Sequence, residues 1–196
     1  MRGRTMSRVA AATLTILLVA VSASAVSAAS PTRFGAKLTT NTQPSNSSPA
    51  HDCELTEGQS CTRVMTKAYG RTSAKAPKDG TIGKIRLIAG DAGSLRVYLA
   101  KVKDGTKAKV VYKGPKLDFD GQPNNAVDYK IETFNVTIPV KAGQVLAFKS
   151  TTTSVLRCDS GGTRQLIFQP YLQVGQSYQQ ADDTDVCFML IEAQYK

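Results

Sequence analysis

Two consecutive stretches alternate apolar with polar residues, and this alternation restricts the fold more than any other feature. The apolar positions are Ile85, Leu87 and Ala89 in the first stretch and Leu95, Val97 and Leu99 in the second. A period of two places one set of side chains inward on a half-buried β-strand. Gly90, Asp91 and Gly93 lie between the stretches and favour a turn, so the pattern over 80–102 predicts a β-hairpin.

Further short stretches rich in β-forming residues follow along the chain. They cover residues 62–69, 107–112, 129–140, 145–151, 155–158, 164–172 and 186–195, with Gly, Pro and Asn turns between them. Helical periodicity is nearly absent, and residues 116–125 have the composition of a loop. The pattern predicts an all-β fold, an antiparallel β-sandwich that is jelly-roll-like, with about eight strands. Its core should contain Ile85, Leu87, Leu95, Val97, Leu99, Leu146, Phe148, Phe168, Met189 and Ile191.

The N-terminus has the composition of an export signal. Three arginines precede an apolar run over 9–21, and small residues follow it, so residues 1–29 are predicted to be a signal peptide. The alternative is a retained anchor, which the run disfavours because a membrane span needs ~20 apolar residues. Residues 30–52 are rich in Pro, Ser and Asn and are predicted to be a disordered polar extension. The folded domain is then 53–196, and the mature protein is expected to be secreted, without a transmembrane anchor.

The chain is basic, with a formal net charge of +10 at pH 7. Its lysines and arginines are spread along the sequence rather than grouped in blocks. Two interpretations stay open, since scattered lysines are typical of a solvated sheet surface but could also attract an anionic envelope polymer. No nucleic-acid-binding module or basic–aromatic ladder is recognisable, so a nucleic-acid partner is not expected.

Four cysteines, Cys53, Cys61, Cys158 and Cys187, lie in the part of the chain expected to be exported. An even number outside the cytosol predicts disulfides rather than free thiols. Spacing and strand position favour Cys53–Cys61 and Cys158–Cys187, and the second bridge should contribute on the order of 3–4 kcal/mol. A Cys/His metal site is unsupported because no pair has the C-x-x-C spacing and the chain has one His.

The run Pro139-Val-Lys-Ala-Gly-Gln144, between two candidate strands, carries a family resemblance. It resembles the strand–turn–strand element of jelly-roll and carbohydrate-binding-module-like β-sandwiches in secreted bacterial proteins. With the 80–102 stretch and the signal peptide, the chain is similar to uncharacterised exported β-sandwich proteins of actinobacteria over 61–196. The resemblance implies a fold and a compartment, and it implies no functional residue.

Asp118 and Asp120 are the candidate metal ligands. Carboxylates at alternate positions before Gly121 could supply oxygens to a structural calcium ion. The twelve-residue calcium-loop pattern is incomplete, however, so an ordinary polar loop is the alternative. No other cofactor is expected.

Catalytic motifs are missing from the sequence. His51, the one imidazole, lies in the polar extension, and there is no G-x-S-x-G or phosphate-binding loop. The sequence therefore predicts a non-catalytic exported domain that binds or decorates the cell envelope or an extracellular polysaccharide. The alternative is a secreted glycoside hydrolase-like enzyme that uses paired carboxylates on a β-sandwich scaffold.

Overall fold

The computed structural model describes residues 31–39, 60–123, 129–150 and 156–196, with residues 160–164 described by their backbone only. It has eleven strands: β1 Arg33–Gly35, β2 Cys61–Met65, β3 Gly80–Leu87, β4 Gly93–Lys103, β5 Lys107–Phe119, β6 Glu132–Val140, β7 Val145–Ser150, β8 Cys158–Phe168, β9 Gln179–Gln180, β10 Asp183–Met189 and β11 Ile191–Tyr195. The described residues contain no helix, and so none that could span a membrane.

The strands form two antiparallel sheets. The first has the order β1-β11-β3-β6, and the second has the order β10-β8-β2-β7-β4-β5-β9. The ten residues predicted to be buried are all buried in the hydrophobic core. Leu146 of the second sheet reaches Gly35 of the first, where a Cβ would lie 2.8 Å from the Leu146 side chain. The predicted all-β fold is therefore confirmed, with a β-sandwich-like arrangement of antiparallel sheets.

The predicted hairpin over 80–102 is wrong. β3 pairs with β11 and β6 in the four-stranded sheet, whereas β4 pairs with β5 and β7 in the seven-stranded sheet. Residues 88–92 carry the chain from one sheet to the other, and the amide of Gln122 donates to the Gly90 carbonyl at 2.7 Å. Alternation specified correctly that each strand buries one face. It did not specify that the two strands belong to different sheets, because the partners come from distant segments.

The chain passes between the two sheets a second time, and this passage divides another predicted strand in two. Residues 186–195 were expected to be continuous, but β10 and β11 lie in different sheets on either side of Leu190. Three backbone segments bond to one another at this crossing: Ile88 donates to Leu190, Leu190 to Arg157, and Arg157 to Ile88. Where the chain passes from one sheet to the other, its backbone groups lose their partners in the strand ladders, and these bonds supply partners instead.

The predicted extension over 30–52 is wrong in its first part. β1 pairs with β11, and both Phe34 and Leu38 are buried. The compact unit extends from Pro31 to Lys196 rather than starting at Cys53. The two buried apolar side chains and the three-residue ladder join residues 33–38 to the sheet. The predicted signal peptide 1–29 and the remainder of the extension, including Cys53, lie outside the described residues.

The predicted disulfide between Cys158 and Cys187 is present. It joins β8 to β10 within the seven-stranded sheet, with the Cα atoms 5.5 Å apart. Cys61 is buried and also disulfide-bonded. Such cross-links are compatible with folding in an oxidising compartment.

Candidate functional site

The hairpin formed by β4 and β5 concentrates the positive charge of the chain. Residues 93–119 carry seven lysines and arginines against two aspartates, a net charge of +5 out of the +10 of the whole chain. Asp104 and Gly105 form its turn with φ angles of 54° and 72°. The lysines looked scattered in the sequence because they are spread over two strands, and the antiparallel pairing brings them together.

The register of this hairpin places like charges directly opposite each other. Three cross-strand pairs join basic residues: Arg96 with Lys116, Lys101 with Lys109, and Lys103 with Lys107. Directly opposed like charges destabilise a sheet. The hairpin therefore carries an electrostatic penalty that its fold does not require.

The pattern continues onto the next strand, where Lys149 of β7 lies opposite Arg96. We call Lys116, Arg96 and Lys149, on three adjacent strands, the cationic row. The alternating neighbours Leu95 and Val97 are buried in the core, so the row lies on the opposite face, directed away from the four-stranded sheet. The row lines a cavity of about 150 Å³. Strand spacing of about 4.8 Å gives the row a width of about 10 Å.

A tyrosine fixes one end of the cationic row. The Lys149 ammonium lies 3.3 Å from the ring centroid of Tyr171, a cation–π contact. Tyr171 belongs to the 169–178 connection, which crosses this face between β8 and β9, and its neighbour Leu172 donates from its amide to Thr62 Oγ1 at 3.0 Å. Lys149 is therefore held in place rather than free to turn into solvent.

Tyr98 lies two residues from Arg96 along β4, on the same face of the strand. It is buried on β4, and this burial together with the neighbouring Tyr171 raises the pKa of its phenol above 10.0, while the Arg96 guanidinium acts to lower it. Arg96 itself donates from Nη1 to the Gly114 carbonyl at 3.1 Å. The Tyr98 phenol therefore senses the charge of Arg96.

Asp118, one of the two predicted calcium ligands, is placed differently from the prediction. It lies on β5 rather than in a loop, so the loop predicted over 116–125 is wrong at its start. Its carboxylate pairs with Lys116 at 2.7 Å, and both side chains are mostly exposed. Asp120 follows the end of the strand, and within the described ranges no three or more acidic, Cys or His residues are placed so that they could hold a metal ion together. Calcium binding stays a prediction.

A contrasting cluster lies on the four-stranded sheet. Glu192 of β11 is fully buried, and its carboxylate is surrounded by three guanidinium groups. Arg71 lies at 2.8 Å, Arg33 at 3.5 Å, and Arg86 bonds to it directly. The Leu38 amide approaches the same carboxylate at 3.4 Å. We call these four charged residues the Glu192 cluster; it joins β1, β3, β11 and the segment after β2.

An open groove of about 670 Å³ lies on the four-stranded sheet. Its charged residues are Lys84 and Lys196, and the Lys196 ammonium already bonds to Thr137 Oγ1 at 2.9 Å. Cations are therefore denser at the cationic row, and the row is the better candidate for a charged ligand.

Comparison with known proteins adds no further constraint. No protein-family model, no curated protein and no solved structure matches this chain. The candidate site therefore depends on the geometry of the described residues.

Proposed function

We propose that this protein is an exported, non-catalytic binding protein for an anionic polysaccharide, and that the cationic row is its contact surface. The observation that carries the proposal is the register of Lys116, Arg96 and Lys149, which places three cations side by side on adjacent strands. A polyanion that lies across the row would relieve the repulsion that the free protein bears.

The balance of charge supports an anionic ligand. Within the described part of the chain, the carboxylate that pairs with the row is that of Asp118, at Lys116. This pair is exposed, and exposed pairs contribute little to stability and exchange readily with other ions. Arg96 bonds to a backbone carbonyl and Lys149 packs on a tyrosine ring, so their contacts within the described residues leave both positive charges without a carboxylate.

The shape of the site supports a polymer rather than a small molecule. The cavity at the row is only about 150 Å³, smaller than the ~300–1,000 Å³ typical of a pocket that encloses a small ligand. A shallow surface with several aligned cations instead fits repeated charges along a chain. An extracellular location is supported by the Cys158–Cys187 disulfide. The hydrolase alternative finds no specific support in the described residues.

The test compares two polymers that differ only in charge. The full chain should bind polygalacturonate and should not bind its fully methyl-esterified form, and its affinity should fall as salt increases because charges at the surface are screened. The double variant Arg96→Gln/Lys149→Gln should lose on the order of tenfold in affinity, which corresponds to ~1.4 kcal/mol.

The matched control is Lys84→Gln/Lys130→Gln. It removes the same charge from exposed lysines outside the seven-stranded sheet and should bind nearly as the wild type does. Equal binding of the esterified polymer, or equal losses in both double variants, would show that the row does not recognise an anionic polysaccharide.

A further inference from the structure

We infer that the β4–β5 hairpin carries a second anion-binding site on the face opposite the cationic row, so that one molecule bridges two polysaccharide chains. This inference rests on the proposed function, to which it adds cross-linking. The second site consists of four lysines near the hairpin turn, which we call the lysine tetrad: Lys101, Lys103, Lys107 and Lys109.

The register of the hairpin assembles the lysine tetrad. Lys101 lies opposite Lys109, and Lys103 lies opposite Lys107. Residues opposite each other lie on one face of a sheet, and so do residues two positions apart on one strand. With strands about 4.8 Å apart and a rise of about 3.3 Å per residue, the four Cα positions form a rectangle of about 5 by 7 Å. The tetrad is therefore a compact group of four cations on one face.

The tetrad and the cationic row lie on opposite faces of the hairpin. Side chains alternate between faces along a strand, and Lys101 and Lys103 are separated from Arg96 by odd numbers of positions on β4. The alternation is unbroken on β4, because at both irregularities of the pairing the extra residue lies in β5. A ligand on the row therefore does not extend onto the tetrad.

The exposed face of the hairpin changes along its length. On the face of the tetrad, Leu99 is fully buried, whereas the next two side chains, Lys101 and Lys103, are exposed. On the face of the row, Ala100 and Val110 are buried at the same level of the hairpin. The hairpin thus exposes the face of the row where β4 begins and the face of the tetrad near the turn, which gives two separate surfaces.

The tetrad has no counter-charge of its own. Within the part of the chain that the structure describes, no carboxylate forms an ion pair with any of its lysines, and this includes Asp104 of the turn. Like charges directly opposite each other destabilise a sheet, and both cross-strand pairs of the tetrad are of this kind. An anionic chain that lies across the tetrad would relieve this repulsion, as at the row.

Tyr178 holds one side of the tetrad in place. Its ring centroid lies 4.8 Å from the Lys109 ammonium and 6.0 Å from the Lys103 ammonium. The residues after it form β9, which pairs with the start of β5, and the Ala181 amide donates to the Thr106 carbonyl at 2.9 Å. The ring is thus attached to the hairpin, and two of the four ammonium groups are presented at a defined place.

Two sites on opposite faces favour bridging over tighter binding of one chain. A second contact with the same chain raises affinity only when that chain reaches both sites at once. A straight segment that lies on the row does not reach the tetrad, because the two point to opposite sides of the hairpin. Each molecule therefore binds two chains, or two separate parts of a long chain, and links them.

The first experiment counts binding sites by calorimetric titration of the full chain with tetragalacturonate at low salt, where charges are screened least. The wild type should bind two oligomers per molecule. Lys103→Gln/Lys109→Gln should bind one, and so should the double variant of the row. The control Lys84→Gln/Lys130→Gln removes the same charge elsewhere and should still bind two.

The second experiment measures bridging of long polygalacturonate by light scattering, with EDTA present so that calcium does not link the carboxylates. Scattering should rise as wild-type protein is added and fall again in excess protein, when each site on the polymer has its own molecule. Lys103→Gln/Lys109→Gln should bind the polymer without this rise, and the Lys84→Gln/Lys130→Gln control should show it. Sedimentation of each protein without polymer checks that self-association does not differ between them.

Each outcome decides a separate point. One oligomer per wild-type molecule, absence of cross-linking, or cross-linking that survives Lys103→Gln/Lys109→Gln would overturn the tetrad as a second site and leave the proposed function standing. Equal loss of cross-linking in the control would also overturn it, since total charge would then be responsible. No binding of oligomer or polymer would overturn both proposals. Retention on anionic lipid vesicles that requires the tetrad, with one oligomer bound per molecule, would assign the tetrad to a membrane surface instead.

Discussion

The Glu192 cluster and the cationic row both gather three basic side chains, and they differ in what lies between them. In the Glu192 cluster a fully buried carboxylate accepts bonds from the surrounding guanidinium groups. In the row the basic residues face one another across strands, and the associated carboxylate, Asp118, is exposed at one end. The first arrangement neutralises charge inside the fold, and the second presents it outside.

This difference separates a structural role from a binding role. Buried charges are retained in proteins when a partner compensates them, and removal of one partner is strongly destabilising. Like charges that face one another in register, as in the row, reduce the stability of a sheet. Arginines in the first region should therefore stabilise the protein, and the arginine in the second region should not.

The largest expected effect is at Glu192. Glu192→Gln leaves three guanidinium groups around an uncharged buried side chain, so the free energy of unfolding should fall by about 3–5 kcal/mol in denaturant titrations. The equivalent change in the other region, Asp118→Asn, should alter it by less than about 1 kcal/mol. Similar losses in both variants would remove the distinction between the two regions.

Arg86→Gln should have the next largest effect on the free energy of unfolding. It removes one of three partners from the buried Glu192 carboxylate, while Arg33 and Arg71 remain. The free energy of unfolding should decrease by about 1.5–3 kcal/mol, as for a hydrogen bond to a charged group. An unchanged denaturation midpoint would mean that the cluster is not an integral part of the fold.

The sequence predicts those features of the fold that depend on a local pattern, namely the strands and the side chains that they bury. Alternation identified the strands and the ten core residues because burial of one face is a property of each strand alone. The partner of a strand is not local. The alternation in β3 and β4 thus predicts a hairpin, although the two strands belong to different sheets. It does not predict β1, whose pairing with β11 joins distant segments.

The candidate site was less predictable for the same reason. Lys116 and Lys149 are 33 positions apart in the chain, and only the shared neighbour Arg96 brings them into one row. Both clusters depend on pairings of this kind, since Glu192 meets Arg71 and Arg86 from distant positions. The sequence does show one indication of the site, the seven basic residues within 93–119. Which of them lie opposite one another follows only from the register of β4 and β5.

A smaller effect should appear in the titration of Tyr98. Burial and Tyr171 raise the pKa of its phenol, and the Arg96 guanidinium opposes the rise, so Arg96→Gln should raise the pKa further. The signal is the phenolate absorbance in alkaline solution, taken as the difference from the same protein with Tyr98→Phe. Since burial favours the neutral phenol, its contribution to stability is present below the usual pKa of 10.0 and is lost as pH rises through the raised value.

One result of that titration would contradict the arrangement of the cationic row. A pKa of Tyr98 that is unchanged by Arg96→Gln would indicate that the guanidinium is not close enough to the phenol in solution to affect it. The cationic row would then be arranged differently from the structure.

The central claim is that the row reduces the stability of the free protein and binds an anionic chain, and Arg96→Gln tests both parts in one measurement. Unfolding is followed with and without polygalacturonate. Without the polymer the variant should be as stable as the wild type or more stable by up to about 0.5 kcal/mol. With the polymer at about 100 times its dissociation constant, the wild type should gain about 2.7 kcal/mol and the variant clearly less. A variant less stable than the wild type without polymer, or equal gains in both proteins, would contradict the account.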